Sequence, residues 1–363
     1  MNILSYKENP TENISNKKKT VCIYLAGSGL VGSALINQLK NQHSYNANIM
    51  LKGIINSRKM LLSDKNLLEN YSNDWEQKAQ HACIEQLFSN IFNSAGANNV
   101  FVDCTANADI ANHYPRLLEK GVNIVAANKI AASADYASYK KLIDLAREHD
   151  CCFRYETNVG AGLPLLGTIN DIVKIGDKVT GIQAVLSGSL NFILNKVKSG
   201  ISLADAIRKA RKAGFTEPDP RIDLSGKDVK RKLLILLRVA GYVIEDEDIA
   251  ENAFVPATLL KIESMDEFYK EIEKFGIELE EKIAKLSEDN KCLRYMAALK
   301  NGQAQIDLEE IGSEHSFYQL DDSNNIVAIY STRYKEHPLT IRGYGAGAEV
   351  TAAGVFADIM KIA

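Results

Sequence analysis

One stretch near the start limits the possible folds more than any other. Thr20-Val-Cys-Ile-Tyr-Leu-Ala26 is a short unbroken apolar run, as in a strand buried on both faces of a parallel sheet. Gly27-Ser-Gly-Leu-Val-Gly32 follows at once, and 33–40 reads as a helix with Leu35, Ile36 and Leu39 on one side. A GxGxxG met alone is often only a turn, but strand, GxGxxG and helix in that order point to dinucleotide binding. Gly27 permits the tight turn, Gly29 lets backbone approach a pyrophosphate, and Gly32 lets the helix lie close on the strand. Leu30 and Val31 are counted with these glycines as cofactor contacts, and the helix N-terminus faces the phosphates.

The same alternation continues. Residues 48–55, 99–105, 121–127 and 151–156 read as further buried strands, with an amphipathic helix near 79–92. Strands and helices alternating from 20 to 156 give an α/β fold with a doubly wound parallel Rossmann sheet. The second strand ends in Asn56-Ser57-Arg58-Lys59, where an NAD-selective site usually has Asp or Glu for the ribose 2′-hydroxyl. The hydroxyl of Ser57 and the guanidinium of Arg58 suit a 2′-phosphate instead. NADP(H) use, or tolerance of NAD(H) as well, is expected; the plainer reading is a solvated basic strand end. Lys129, after Asn128 at another strand end, is either a lysine in reach of nicotinamide and substrate or a solvated loop lysine.

A chain of 363 residues exceeds one ordinary core, so two domains are expected. Its net charge of −3 and pI near 6.1 give no electrostatic case for nucleic acid or an anionic membrane. No apolar run reaches the roughly 18 to 20 residues of a membrane span, and the polar start lacks a secretory signal. Residues 1–18 read as a loosely ordered leader. Six cysteines without CxxC or zinc-ligand spacing fit a reduced, cytoplasmic protein.

Beyond the first domain, Thr157-Asn-Val-Gly-Ala-Gly-Leu-Pro164 is a small-residue loop beside Glu156 that could offer oxygen ligands to a hard cation. Strands are expected near 182–186, 292–299, 303–308, 325–333 and 338–342, and helices over 164–174, 190–199, 202–213 and 257–289. Gly214-Phe-Thr-Glu-Pro-Asp-Pro220 is a stiff acidic loop, since both prolines restrict themselves and the residues before them. From about Ser225 the pattern turns helical, with Val229, Leu233, Leu236, Leu237 and Ala240 as its apolar stripe. Asp228 and Lys232, four apart, share a side of that helix. They form a surface ion pair or a polar site. A second glycine-rich turn, Gly343-Tyr-Gly-Ala-Gly347, runs into a small-residue helix expected to pack beside the first turn.

Taken in order, 25–32, 102–105, 128–129, 158–164, 186–190, 214–236 and 342–358 resemble homoserine dehydrogenase. The closest likeness is to the dehydrogenase half of the bifunctional aspartokinase–homoserine dehydrogenases. The segment 216–232 is highly specific to that family. The resemblance implies reversible NAD(P)H-dependent reduction of L-aspartate 4-semialdehyde to L-homoserine, toward threonine, methionine and isoleucine. It implies a Rossmann domain (19–156), an α+β catalytic and dimerisation domain (157–341), a segment returning to the first domain (342–363), and a homodimer. By position, Lys232 matches the catalytic lysine, and Glu217 and Asp228 the substrate-binding carboxylates. Lys129 matches a lysine at the cofactor–substrate junction, and Thr105 and Gly347 further cofactor contacts. Glu156 and the backbone of Val159, Ala161 and Leu163 match a sodium site. The sequence carries no kinase segment and no regulatory domain after Ala363, so neither aspartokinase activity nor threonine inhibition through such a domain is expected.

On this reading a protonated lysine, Lys232 or Lys129, stabilises the charge that hydride transfer builds on the carbonyl oxygen and then supplies the proton. A lysine titrates ordinarily near 10.4, which suits an acid at neutral pH. Asp228 favours the charged form, Glu217 holds the substrate's α-ammonium, and Asp223 supports the loop or the substrate. Three alternatives compete. An aspartate-semialdehyde dehydrogenase would need a cysteine nucleophile, for which only Cys104 is placed. A nucleotide-sensing protein would use the acidic loop as a partner surface. Another reductase would use the loop only structurally.

Overall fold

The alternating faces of one strand show how the chain is layered. In the computed structural model, which describes residues 19–41, 47–94 and 98–363, β1 spans Lys19–Ala26. Its Val21, Ile23 and Leu25 enter one apolar cluster, and its Cys22, Tyr24 and Ala26 enter another. Both faces are therefore dry, as the unbroken apolar run requires. The leader expected at 1–18 lies outside the described residues.

The first sheet also holds β2 (Ala47–Ile55), β3 (Lys59–Leu62), β4 (Gln80–His81), β5 (Asn98–Asp103), β6 (Asn123–Ala126) and β7 (Phe153–Arg154). Its order is β4-β3-β2-β1-β5-β6-β7. β1 pairs in parallel with β2 and β5, and β5–β6–β7 continue in parallel. That is the Rossmann arrangement, with a correction at one edge. Residues 59–62 and 80–81, where no strand is expected, turn back as β3 and β4, both antiparallel. The helix expected over 79–92 starts only at Ile84 and runs to Asn93, because β4 takes its first residues; a separate helix, Tyr71–Lys78, precedes β4. The strand expected over 151–156 shrinks to two residues, because the chain turns into a single 3₁₀ turn at Glu156–Asn158.

The second sheet comprises β8 (Val179–Val185), β9 (Ile249–Glu251), β10 (Lys291–Lys300), β11 (Gln303–Gly312), β12 (Asn324–Ser331) and β13 (Leu339–Tyr344), ordered β13-β12-β8-β10-β11-β9. β8 pairs antiparallel with both β10 and β12. Leu293, Tyr295, Ala297 and Leu299 of β10 point into the cluster that also holds Leu233, Leu236 and Leu237 of the helix Lys227–Val239. Cys292 and Met296, on the other face, pack with Phe317, Leu320 and Ile326. The helix expected over 257–289 is broken: Ala257–Leu260 stops, and Met265–Glu288 starts afresh behind Ser264, whose hydroxyl caps Glu267 N–H.

The chain then comes back to the first sheet. The helix Ala348–Met360 places Ala352, Val355, Phe356 and Ile359 in the cluster under β1. It lies against the helix Leu30–Lys40, where Gln38 Nε2 donates to the Glu349 carbonyl at 2.9 Å and to its carboxylate at 3.0 Å.

Candidate active site

Two helix starts carry the glycine turns. The helix Leu30–Lys40 begins behind Gly29 with no side chain capping its first turn, so its leading N–H groups are left for an anion. A Cβ on Gly32 would lie 1.9 Å from the Gly27 carbonyl oxygen, whereas one on Gly29 would meet open space. Gly32 is thus required by close helix–strand packing, and Gly29 lines a cradle a side chain would fill. These features fit a dinucleotide's pyrophosphate. Thr105 lies beside Gly27, and Gly347 opens the returning helix without a side-chain cap.

Ser57 and Arg58 sit in the short turn between β2 and β3. Asn56 builds that turn: its Oδ1 accepts from Arg58 N at 2.9 Å and Lys59 N at 2.8 Å, and its Nδ2 donates to Ser28 Oγ at 2.9 Å. The basic turn is therefore tied to the glycine turn. Asn56 was legible only as a turn-forming residue.

At the end of β5, fully buried Asp103 accepts from Thr105 N (2.7 Å), Tyr114 OH (2.7 Å) and Asn128 Nδ2 (3.0 Å). Asn128 Oδ1 accepts from Ile130 N at 3.0 Å. This network fixes the backbone on both sides of Lys129, and its two buried polar residues were not anticipated.

Lys129 is then brought to a residue 99 positions away. Its Nζ lies 3.7 Å from Asp228 Oδ1, while Lys232 Nζ donates to Asp228 Oδ2 at 2.8 Å. The Lys232 ammonium also donates to the Leu186 carbonyl at 2.7 Å, and the residue is only 8% exposed. Asp228 is a half-exposed carboxylate between two ammonium groups. Burial pushes its carboxyl up, but Lys232 and Lys129 outweigh that and hold it well below the ordinary range. Burial pushes the Lys129 ammonium below its usual value, with Lys232 and Arg231 adding to the effect and Asp228 opposing it.

The helix Lys227–Val239 presents this pair because its other side carries Val229, Leu233, Leu236 and Leu237, all buried. Before it, the acidic loop is not wholly extended: Pro220 starts a short helix, Pro220–Leu224, capped by Asp219. Asp223 braces the loop, its Oδ1 accepting from Ser189 Oγ and its Oδ2 from Glu217 N, both at 2.9 Å. The Glu217 side chain is left exposed. A cleft of about 1040 Å³ is lined by Lys129, Glu217, Asp223, Asp228 and Arg231 among others. It is large enough for an amino-acid substrate and gives it both signs of charge.

Glu156, Val159, Ala161 and Leu163 lie apart from that group. Glu156 Oε1 accepts from Leu166 N at 2.6 Å and Oε2 from Gly167 N at 2.8 Å, with Lys361 Nζ 3.5 Å away. Each oxygen keeps a lone pair for a cation. Ala161, a non-glycine residue at φ 53°, marks a tightly curled backbone beside it. These residues fit a weakly held monovalent ion in competition with the lysine. Among the described residues no group of three His, Cys, Asp or Glu could hold a metal.

Burial, and then the Asp103 carboxylate, push the Cys104 thiol up, which disfavours the thiolate a nucleophile needs.

The family model for homoserine dehydrogenase matches residues 164–360, and the model for the homoserine dehydrogenase NAD-binding domain matches residues 27–156. Homoserine dehydrogenase of Saccharomyces cerevisiae is 32% identical over 95% of this chain and 98% of that protein. The chain belongs to the homoserine dehydrogenase family. A bifunctional aspartokinase/homoserine dehydrogenase from Zea mays is 40% identical over 95% of this chain. The chain spans about two fifths of the length of such bifunctional relatives. A crystal structure of a Candida auris protein of unknown function superposes with a TM-score of 0.89 at 33% identity, over 95% of this chain and 98% of that one. The NAD-binding model covers the first glycine turn and Lys129, and the other model covers Asp228, Lys232 and the second glycine turn.

Proposed function

We propose that the chain catalyses the reversible reduction of L-aspartate 4-semialdehyde to L-homoserine with NAD(P)H, in threonine, methionine and isoleucine biosynthesis. The observation that carries this is the Lys232 ammonium, held by the Leu186 carbonyl and by Asp228, which lines the cleft. When bound, the nicotinamide supplies hydride to the aldehyde carbon or takes it back from the alcohol. Lys232 meets the carbonyl oxygen, stabilises its developing charge and gives it a proton. Asp228 orients that ammonium and joins it to Lys129, so a second cation faces the same oxygen. Glu217 holds the substrate's α-ammonium, and Asp223 keeps Glu217 in place. Homoserine added with NAD or NADP should produce absorbance from the reduced cofactor; no reduction of either would overturn the assignment.

Asp228 sets the pH response. Its charge draws the proton affinity of Lys129 upward against burial, Lys232 and Arg231. Asp228→Asn removes that pull, so the neutral amine forms at lower pH. Homoserine oxidation delivers the hydroxyl proton through Lys232 to this cluster, where a neutral Lys129 can receive it. The acidic limb of its kcat/KM profile should therefore move to lower pH in this variant. A limb that stays in place would mean Lys129 does not titrate in the step.

The basic turn supports NADP(H) preference. Arg58→Ala should raise KM for NADPH about tenfold or more and leave that for NADH within about twofold, as expected for a lost charge-assisted phosphate contact. Equal effects on both cofactors would remove Arg58 from 2′-phosphate recognition.

Glu156 and the backbone of Val159, Ala161 and Leu163 bind a monovalent cation, sodium by preference. Exchanging choline chloride for sodium chloride should raise the thermal midpoint of the wild-type protein and not that of Glu156→Gln. The same rise in both would exclude this site. All six cysteines are unpaired, which supports a reducing, cytoplasmic setting. Among the described residues no helix is long and apolar enough to cross a membrane. The open edge at β13, with Tyr344 68% exposed, supports assembly as a homodimer.

A further inference from the structure

The carbonyl that holds Lys232 has a second partner. Leu186 O has two acceptor lone pairs. One takes Lys232 Nζ at 2.7 Å and the other Asn325 Nδ2 at 3.2 Å. Asn325 stands near the start of β12, opposite Gly343 of β13 and one residue before the pairing of Ile326 with Val185. That register brings it alongside Leu186, where the chain leaves β8. Asn325 is fully buried, yet its Oδ1 has no hydrogen-bond partner among the described residues. A buried unpaired acceptor is costly. An apolar side chain would avoid that cost, so the donor half of the amide is what this position retains.

The amide is also clamped from the other side. A Cβ on Gly345 would fall 2.0 Å from its Cγ and Nδ2 and 2.4 Å from its Oδ1. The second glycine turn is thus pressed against the Asn325 side chain, two residues before Gly347 opens the returning helix. A continuous line of contact runs from that turn through Gly345, Asn325 and the Leu186 carbonyl to the Lys232 ammonium.

We propose that Asn325 is a positioning residue for the proton donor. It fixes the carbonyl on which Lys232 is anchored, and the second glycine turn fixes Asn325 in turn. The inference rests on Lys232 as the donor, and it makes Gly345 a requirement of the reaction rather than of the fold alone.

The test is a double-mutant cycle on the full chain, with kcat, the solvent deuterium isotope effect on kcat, NADPH affinity by fluorescence and the thermal midpoint as readouts. Asn325→Ala should lower kcat about tenfold or more, the cost of a donor displaced by a fraction of an ångström. It should raise the isotope effect and leave NADPH affinity within about twofold, since no cofactor contact is removed. Gly345→Ala, which drives a methyl into the amide, should lose at least as much. The combination Gly345→Ala with Asn325→Ala should recover activity relative to Gly345→Ala alone, because the methyl then occupies space the amide has left. Where Asn325→Ala does not fold, Asn325→Leu fills a similar volume without a donor and should show the same kinetic loss. Additive losses, or wild-type kcat and isotope effect in the Asn325 variants, would overturn the proposal. The underlying assignment fails separately, when Lys232→Ala itself keeps its turnover.

Discussion

Lys232→Ala is expected to lower kcat by about 10²- to 10⁴-fold, the range in which a positioned acid acts, with a much smaller change in KM for homoserine. The split follows from geometry. The lysine is only 8% exposed and is committed to Asp228 and the Leu186 carbonyl. Little of it is left to bind the ground-state substrate beyond the one oxygen on which charge develops. Glu217, on the loop braced by Asp223, should still hold the α-ammonium in the variant if it has the role proposed for it, so affinity should survive while the proton step fails. Steady-state kinetics in both directions, at several pH values, make the measurement. Were kcat to survive, Lys129 would become the donor, since Asp228 already brings it to the same place.

Gly32→Val should abolish useful cofactor binding. Even the first carbon of the new side chain would stand 1.9 Å from the Gly27 carbonyl, so helix and strand must separate or the turn must open. Either change moves the uncapped N–H groups away from the pyrophosphate, and NADPH affinity should fall about a hundredfold or more, a few kcal/mol of lost charge-assisted contacts. Some loss of thermal stability will accompany it. Gly29→Ala separates the two effects, because its Cβ meets nothing within the protein. That variant should melt like the wild type yet bind NADPH more weakly. Unchanged affinity in both would place the cofactor elsewhere.

The sequence signals that worked were local ones. Strand, glycine turn and helix over 20–40 declare themselves by apolar run and period, and the structure places them within three residues. Asp228 and Lys232 were visible because a helix puts i and i+4 on one side. What escaped was set by tertiary contact. β3 and β4 are four and two residues long, too short for any period to show. The strand at 151–156 reads as apolar but is cut short by the turn that brings the Glu156 carboxylate to the N-terminus of the helix Leu166–Lys174. Lys129 and Asp228 meet across 99 positions. Leu186 contributes a backbone oxygen, which no side chain announces, and Asn325 is an ordinary residue until Gly345 is seen against it.

The returning helix sets the order in which this protein can be completed. Val21, Ile23 and Leu25 of β1 find part of their cover in Ala352, Val355, Phe356 and Ile359, and the Gln38–Glu349 bond spans 311 residues. On the ribosome the nucleotide-binding half emerges before the second sheet, yet part of one of its apolar faces stays uncovered until that sheet and the returning helix have followed. Closing so long a loop is slow compared with local helix formation. In the interval that face is available to chaperones or to other nascent chains. Of the two sheets the Rossmann one is made first and covered last.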